Sequence, residues 1–432
     1  MGGRYKAYPE YKESGVEWVG KIPSHWGLKK LKYLAPLISE KAREKTNPIA
    51  LEHIQSWTGK LIPTDSMFDG DGTKFKAGDI LFGKLRPYLA KVYLTEEDGE
   101  AIGDFHVMRP TNSSYGKFLK SLMLTTDYIS TVDASTYGAK MPRASWDFTS
   151  NIQLPFCSET EIEKITQFLD HETAKIDTLI AKQEKLIELL KEKRQAVISH
   201  AVTKGLNPDA PMKDSGVEWL GEVPEHWEVT RAKFVSKIFV PQRNKPELNS
   251  NNIGTPWATM DDMKSDFILS THHTVSDEAL KSAGSKVLPK GSVIASCVGN
   301  FGVASINKID VVINQQLQAY IPKRISTLYL RELVSISKCY FELVGTAATL
   351  VYVNQQGFEN LPITLPSIEE QQDITDYLTA QKGKFDKLIG KCFNQVELMK
   401  ERKTALISAA VTGKIDVRHF VAEQGQPQGA QG

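Results

Sequence analysis

The sequence lacks the features that mark several common protein classes. It contains only four cysteines in 432 residues, and Cys157, Cys297, Cys339 and Cys392 are far apart. This spacing fits neither a metal-ligand pair nor a dense disulfide framework. No apolar run reaches the roughly 18 residues that a membrane-spanning helix needs. We therefore expect a cytoplasmic protein with no membrane association.

The chain also lacks an excess of charge of either sign. It has 53 lysines and arginines against 52 aspartates and glutamates, a net charge of +1. A free-standing nucleic-acid binder is usually more basic, although balance over the whole chain leaves room for local basic surfaces. Hydrophobic residues make up 41% of the sequence, which is typical of a globular protein. At this length more than one domain is expected.

Catalytic motifs are missing as well. Residues 78–85 approach a phosphate-binding loop, but Leu85 stands where Ser or Thr must bind magnesium. The sequence has no dinucleotide-binding fingerprint, no Gly-x-Ser-x-Gly and no Asp/Asn-Pro-Pro-aromatic motif of amino-methyltransferases. His272 and His273 are adjacent, so on a strand they would point to opposite faces and would not share a metal. We expect no catalytic residue, no cofactor and no metal site.

What the chain does contain is two repeated blocks. Residues 14–26 and 215–227 agree at nine of 13 positions, including two tryptophans, and residues 158–203 and 367–412 agree at 20 of 46 without a gap. The intervening stretches, 28–152 and 229–362, share little. The repeated tryptophans suggest packing residues of a common frame, with two divergent inserts for two different targets.

The longer repeated block predicts a helix in each copy. Ser158-x-x-Glu161 and Ser367-x-x-Glu370 are capping-box patterns, and Gly205 and Gly413 are placed for left-handed caps. Apolar residues recur at steps of three and four. The predicted seams comprise Ile162, Ile165, Leu169, Ile176, Leu179, Leu186, Leu190 and Val197, and Ile374, Leu378, Phe385, Leu388, Cys392, Met399 and Leu406. We favour pairing of the two seams, antiparallel, over packing of each helix on its own domain alone.

The variable stretches are predicted to form two small α/β domains with exposed polar loops. Strands are expected at 79–82, 90–94, 292–296, 302–306 and 311–313, and Asp69-Gly70-Asp71-Gly72 is expected to be a loop. Basic side chains can bind phosphates or guanine, and amides can bind adenine. The candidate DNA-binding residues are Lys84, Arg86, Tyr88, Lys140 and Arg143 in the first domain and Asn300, Gln315 and Gln316 in the second. Further candidates beside them are Tyr137, Trp146 and residues 354–356. The alternative is that these residues form solvated loops and that the amides only close turns.

The two Ser-Gly-Val-Glu-Trp motifs, the paired helix starts and the Ile-Ser-x-Ala-Val-Thr endings closely resemble the specificity subunit of type I restriction–modification systems. The resemblance covers about Tyr11 to Ile415. It implies an α+β fold in which two α/β target recognition domains, related by a pseudo-two-fold duplication, are separated by two long helices in an antiparallel coiled coil. The implied boundaries are 1–157 and 206–366 for the recognition domains, and 158–205 and 367–415 for the helices. Residues 416–432 are assigned to a tail, which the resemblance does not cover and whose composition predicts disorder.

The resemblance also implies partners. They are double-stranded DNA, read at a bipartite target, two methylation subunits and the motor-nuclease subunits of the same system, which the chain would scaffold without catalysis of its own. Two other classes stay open at this point. One is a stand-alone DNA-binding regulator with duplicated domains, and the other is a coiled-coil adaptor that never touches DNA.

Overall fold

A computed structural model of the chain describes residues 5–42, 46–63, 72–138, 140–249, 253–346 and 351–421. The described residues fall into two compact units. The first comprises Met1–Glu184 and Asn394–Gly432, and the second comprises Lys185–Phe393. The expected loop residues 69–71 and the tail residues 422–432 lie outside the described residues. No helix in the described part is long and apolar enough to cross a membrane.

The elements up to the first long helix alternate short strands with short helices. They are β1 (Tyr11–Glu13), β2 (Lys21–Pro23), β3 (Gly27–Lys30), α1 (Leu31–Leu34), β4 (Leu37–Ile38), β5 (Pro48–Ile49), β6 (Gly72–Phe75), β7 (Ile80–Gly83), β8 (Val92–Leu94), β9 (Gly99–Ile102), β10 (Phe105–Met108), α2 (Tyr115–Met123), α3 (Thr126–Ala134), α4 (Trp146–Asn151), β11 (Gln153–Phe156) and α5 (Glu159–Lys204). Short 3-10 turns lie at Leu51–His53 and Pro87–Leu89.

The remaining elements follow a similar order. They are β12 (Met212–Asp214), β13 (Glu222–Pro224), β14 (Glu228–Arg231), α6 (Ala232–Val235), β15 (Ser236–Phe239), β16 (Thr255–Ala258), β17 (Phe267–Ile268), β18 (His273–Val275), α7 (Asp277–Ala283), β19 (Val293–Ser296), β20 (Ala304–Asn307), β21 (Val312–Ile313), β22 (Leu317–Pro322), α8 (Thr327–Ile336), α9 (Lys338–Val344), α10 (Gln355–Glu359), β23 (Pro362–Leu365) and α11 (Ile368–Val411). A 3-10 turn lies at Met260–Asp262.

The main sheets of the two units share one strand order. The first unit has the order β4-β10-β7-β8, and the second has β15-β22-β19-β20 with β17 added at the edge. In both, the middle strands pair antiparallel, with His106 opposite Phe82 and Gln318 opposite Ala295. The fold is mixed helix and sheet, as expected, and the predicted strands at 79–82, 292–296 and 311–313 are confirmed within one residue at each end.

In each unit the largest buried apolar cluster includes side chains of the long helices. In the first unit Trp26 and Ile22 join Ile162 and Ile165 of α5 in one buried cluster. In the second unit Trp227 shares a cluster with Ile198 of α5 and Leu378 of α11. Trp26 and Trp227 are almost completely buried, so their prediction as packing residues is confirmed.

The helix starts were predicted only in part. The Ser158 hydroxyl accepts from the Glu161 amide at 3.3 Å, and Ser367 does the same for Glu370 at 3.1 Å, as a cap requires. The glutamates, however, do not complete a capping box. Glu161 accepts hydrogen bonds from the Trp26 indole at 3.1 Å and from Tyr8 at 2.6 Å.

The same contact recurs in the second unit, where Glu370 accepts from the Trp227 indole at 3.0 Å and meets the His226 ring at 3.0 Å. In the first unit His25 lies 2.9 Å from Glu161. Glu161 and Glu370 therefore hydrogen-bond the two repeated Pro-x-His-Trp segments to the first turns of α5 and α11. The predicted cap at Gly205 is confirmed by its positive φ of 75°.

The predicted seams are wrong at three leucines. Leu179, Leu186 and Leu388 are 48%, 41% and 47% exposed, whereas Ile187 is buried. Between residues 382 and 403 of α11 the less exposed positions follow a four-three spacing. They are 382, 385, 389, 392, 396, 399 and 403.

Contacts between the helices occur within each unit. In the first unit Lys403 of α11 pairs with Asp177 of α5 at 2.6 Å. In the second unit Arg194 of α5 lies 3.5 Å from Asp386 of α11. Residues just beyond α11 also pack on α5, since the Phe420 ring meets the Phe168 ring edge to face at 5.2 Å.

A buried charge cluster attaches the second sheet to α11. Arg331 of α8 donates to Glu332 at 2.7 Å and to Asp266, and Lys382 of α11 donates to Glu332 at 2.9 Å and to Asp266. Two cations and two carboxylates thus neutralise one another, and three of the four groups are buried while Asp266 is partly exposed. Buried charges are tolerated only when paired in this way.

Candidate nucleic-acid interface

The candidate loops of the first unit are hydrogen-bonded to each other, and we call them the first loop pair (residues 84–88, 137–138 and 140–143). The backbone amide of Arg86 donates to the Pro142 carbonyl at 2.8 Å, and the Ala144 amide donates to the Lys84 carbonyl at 2.9 Å. The two predicted basic turns, separated by about 50 residues in sequence, therefore form a single surface.

Two of the predicted cations are held by an acidic residue that sequence reasoning missed. Arg143 donates to both carboxylate oxygens of Asp104, with Nη2 at 2.9 Å and Nε at 3.2 Å from the nearer oxygens. This hydrogen bonding raises the pKa of the Arg143 guanidinium above its ordinary value. The Lys84 ammonium lies 3.7 Å from the same carboxylate. Asp104 therefore orients Arg143 and partly neutralises Lys84.

The other predicted residues of the first loop pair are open to solvent. Arg86 has a left-handed backbone with φ of 51°, and its side chain makes no hydrogen bond or ion pair with any described residue. Tyr88 and Lys140 are exposed. Arg86 is thus the cation most available for a phosphate, whereas Arg143 is the one whose planar fork is fixed in place.

A buried histidine holds the first loop pair to the sheet. His106 of β10 lies with Nε2 3.2 Å from the Ala144 carbonyl, so its ring donates there when neutral. Its ring also stacks on Phe82 at 6.5 Å and meets Trp146 at 5.4 Å. Burial lowers the pKa of His106 to about 4. The imidazole is therefore neutral at physiological pH and acts as a fixed support.

The second unit builds the same arrangement from other residues, and we call it the second loop pair (residues 297–300 with 346 and 351–353). The Gly299 amide donates to the Val351 carbonyl at 2.9 Å, and the Val353 amide donates to the Cys297 carbonyl at 2.9 Å. Gln318 takes the place of His106, because its amide donates to the Val353 carbonyl at 3.0 Å.

The predicted amides of the second domain have different surroundings. Gln316 occupies the position of Asp104, since its carbonyl accepts from Cys297 as that of Asp104 accepts from Lys84. The side chains of Gln316 and Asn300 are exposed. Gln315 is partly engaged, because its Nε2 donates to the Gln242 carbonyl at 2.9 Å.

Two amides that were weighed beside them serve the local structure. Asn354 caps α10 by accepting from the Gly357 amide at 3.0 Å, and Gln355 donates to Glu359 at 2.7 Å. For these residues the structure agrees with the alternative that amides close turns.

An open cavity of about 860 Å³ lies beside the second loop pair. The residues that line it include the buried Trp257, together with Gln316 and Lys245. The exposed His272 ring lies 2.8 Å from the Asp262 carboxylate. Burial alone would raise the pKa of Asp262, but hydrogen bonds from His272 and Thr259 outweigh burial and lower this pKa. Its lining residues are Lys245, Leu248, Trp257, Thr259, Asp261, Lys264, His272, His273, Asn314, Gln315 and Gln316.

A search of the described part of the chain for metal-binding sites found no group of three or more His, Cys, Asp or Glu side chains that could hold an ion. The four cysteines are free thiols, and burial raises the pKa of the Cys297 thiol to about 11.

The same two-loop arrangement occurs in both units, with different exposed side chains. Comparisons with known proteins show which proteins the chain is similar to. Residues 224–398 match the family model described as type I restriction modification DNA specificity domain. The putative MjaX specificity subunit of Methanocaldococcus jannaschii is 23% identical over 94% of this chain and 98% of its own. Over most of its length the chain is thus similar to type I restriction enzyme specificity subunits.

Other relatives match over different extents. The EcoDI specificity subunit of Escherichia coli is 27% identical, but the match spans only about half of either chain. Among solved structures, a chain from a type I system studied for complex assembly and conformational transition has a TM-score of 0.70 at 18% identity, covering 91% of this chain and 99% of that one. The HsdS subunit of Thermoanaerobacter tengcongensis has a TM-score of 0.52 at 17% identity, with 91% and 98% covered. These likenesses concern the fold.

Proposed function

We propose that this chain is the DNA-recognition subunit of a type I restriction–modification enzyme and reads a bipartite target in double-stranded DNA. The observation that carries the proposal is the loop pair, built twice on the same sheet order but with different exposed side chains. Two domains that bind different DNA sequences need the same supporting structure beneath different exposed residues. The family matches agree with this assignment.

The chemistry of the loop pairs suggests a division between the half-sites. In the first loop pair, Asp104 fixes the orientation of the planar Arg143 guanidinium. This geometry suits bidentate donation to the N7 and O6 of guanine. Arg86 and Lys140 are open to solvent, as phosphate contacts usually are. In the second, Gln316 and Asn300 offer amides that suit adenine.

The proposed architecture assigns 1–157 and 206–366 to two target recognition domains and 158–205 and 367–415 to two helices. The helices would form an antiparallel coiled coil that relates the halves by a pseudo-two-fold and sets the unspecified gap between the half-sites. Support comes from the four-three spacing of α11 and from the ion pairs between α5 and α11 inside each unit.

We propose that catalysis belongs to partners. Two methylation subunits and the motor-nuclease subunits would assemble on the repeated frame, and this chain would bring no cofactor and no catalytic residue. The cytoplasm is the proposed location. A stand-alone regulator is the weaker alternative, because relatives that match most of this chain carry the specificity-subunit name.

The test exchanges one reader at a time. Residues 28–152 are replaced by the matching stretch of a related subunit, and methylated sites are mapped in cells that express the methylation subunits. One half of the methylated motif should change and the other should stay. A chimera with the frame block 158–203 replaced instead serves as the control and should keep both halves. A change in both halves on replacing 28–152 would contradict two independent readers.

A further inference from the structure

A second kind of basic surface occurs in both units, away from the tips of the loop pairs. In the first unit the ammonium groups of Lys30 and Lys32 lie 3.3 Å and 3.0 Å from the same oxygen, Oδ1 of Asn151. The Asn151 amide nitrogen donates to the Asp147 carbonyl at 2.8 Å. This bond fixes the amide so that its oxygen faces the two cations.

The second unit repeats this arrangement with one changed cation. Arg231 and Lys233 both donate to Oδ1 of Asn360 at 3.2 Å, and the Asn360 amide nitrogen donates to the Gln356 carbonyl at 2.9 Å. We call the two sets the basic patches. Their residues are Lys30, Lys32, Tyr33 and Asn151 in the first unit and Arg231, Lys233, Phe234 and Asn360 in the second.

Each basic patch carries an aromatic ring that is left in solvent. Tyr33 is 65% exposed and Phe234 is 61% exposed. The Lys32 and Lys233 ammonium groups lie 5.5 Å and 5.4 Å from the centroids of these rings. An exposed ring beside a pair of cations thus occurs at matching positions of both units, and such a ring can pack on an apolar part of a ligand.

The charge of the basic patches is not compensated. Within the described part of the chain, no carboxylate oxygen lies within 4 Å of Lys30, Lys32, Arg231 or Lys233. This differs from the first loop pair, where Asp104 pairs with the cations. Two cations that share one neutral oxygen repel each other, so an anion would stabilise the set. The C-terminal ends of α4 and α10 favour nearby cations, but both helices are short.

The two kinds of surface vary differently between the units. The loop pairs differ in their exposed residues, as readers of different sequences must. The basic patches are nearly the same in both units, so their ligand must be the same for both. We propose that each basic patch binds backbone phosphates of the DNA beside its own half-site, with the aromatic ring packing on sugar. This inference rests on the proposed function.

The position of the patches along the chain supports the same ligand. α4 begins directly after the first loop pair and ends at Asn151. At about 1.5 Å per residue this helix is roughly 9 Å long. The basic patch and the loop pair of the first unit are therefore close enough for one short duplex to contact both, and α10 gives the second unit the same connection.

The experiment measures the salt dependence of binding to a short random-sequence duplex, with the full chain assembled with the methylation subunits of its own system. Neutralising two contacts in Lys30→Gln/Lys32→Gln should lower the slope of log K against log salt by about two, at about 0.9 per phosphate contact. The charge-retaining variant Lys30→Arg/Lys32→Arg should restore the slope. The matched control, Lys12→Gln/Lys21→Gln on the exposed β1–β2 hairpin, removes the same charge and should leave the slope near that of the wild type.

Three results would overturn the inference. The Gln pair could keep the wild-type slope, the control pair could lower it equally, or the Gln pair could abolish co-purification of the methylation subunits. In the last case the basic patch is a surface for an acidic protein partner. A wild-type complex that fails to bind any duplex would instead refute the proposed function, so the two failures are distinguishable.

Discussion

Replacing His106 by glutamine should remove part of the acid sensitivity of the first unit. His106 and Gln318 hold the two loop pairs by the same bond, from a buried side chain to the Ala144 or Val353 carbonyl. The second unit thus shows that glutamine can fill this role. Unlike glutamine, histidine must stay neutral to remain in its buried site.

The sign and size of the effect follow from proton linkage. The His106 pKa is about 4 in the folded chain against 6.5 for a free histidine, so between these values the unfolded chain binds more protons. Stability is fully present above about pH 6.5 and falls as the pH drops towards 4. Going from pH 7 to pH 5, this one group should lower the free energy of unfolding by about 2 kcal/mol.

The assay follows urea unfolding at both pH values by hydrogen exchange in peptides around residues 137–148. The loss of stability between pH 7 and pH 5 should be smaller by about 2 kcal/mol in His106→Gln than in the wild type. The control is His200→Gln, an exposed histidine of α5, which should behave as the wild type. An identical pH response in His106→Gln and the wild type would refute the view that His106 is buried and neutral.

Three further perturbations test other parts of the account. In thermal or urea unfolding, Glu161→Ala should destabilise the first unit by about 2–4 kcal/mol, because buried donors lose their acceptor. Glu370→Ala should destabilise the second unit less, because Glu370 is more exposed. Asp104→Asn should raise the affinity for a random-sequence duplex and weaken the discrimination of one base of the target. Arg86→Ala should lower the slope of log K against log salt by about one. Inserting four residues near Gln183 should widen the gap in the methylated motif by one to two base pairs, since one helical turn adds about 5.4 Å. An active insertion mutant with an unchanged gap would refute the proposal that the helices set the gap.

Features that depend on local sequence were predicted well. The serine caps, the Gly205 helix end and several strands follow from residues within one turn or one strand of each other. The burial of Trp26 and Trp227 could be inferred because the same motif occurs twice. Such signals need no knowledge of distant partners.

Features that depend on distant pairing were not predictable in the same way. Asp104 meets Lys84 and Arg143 only because β7 pairs with β10, and the sequence gives no sign of which acid faces which base. Glu161 fits a capping box equally well, and only the approach of a segment more than 130 residues away assigns it to Trp26. In α5 apolar residues stand side by side at Leu186 and Ile187, so spacing alone cannot choose the buried one.

The central claim is tested most directly by sequencing methylated bases in the DNA of the host. Three strains are compared, carrying the intact gene, the deleted gene and a gene altered only at the exposed residues of the first loop pair. The account predicts a bipartite methylated motif with the intact gene, its loss on deletion, and a change confined to one half-site in the third strain. The same methylated motif in all three strains would show that this chain does not read DNA for its system.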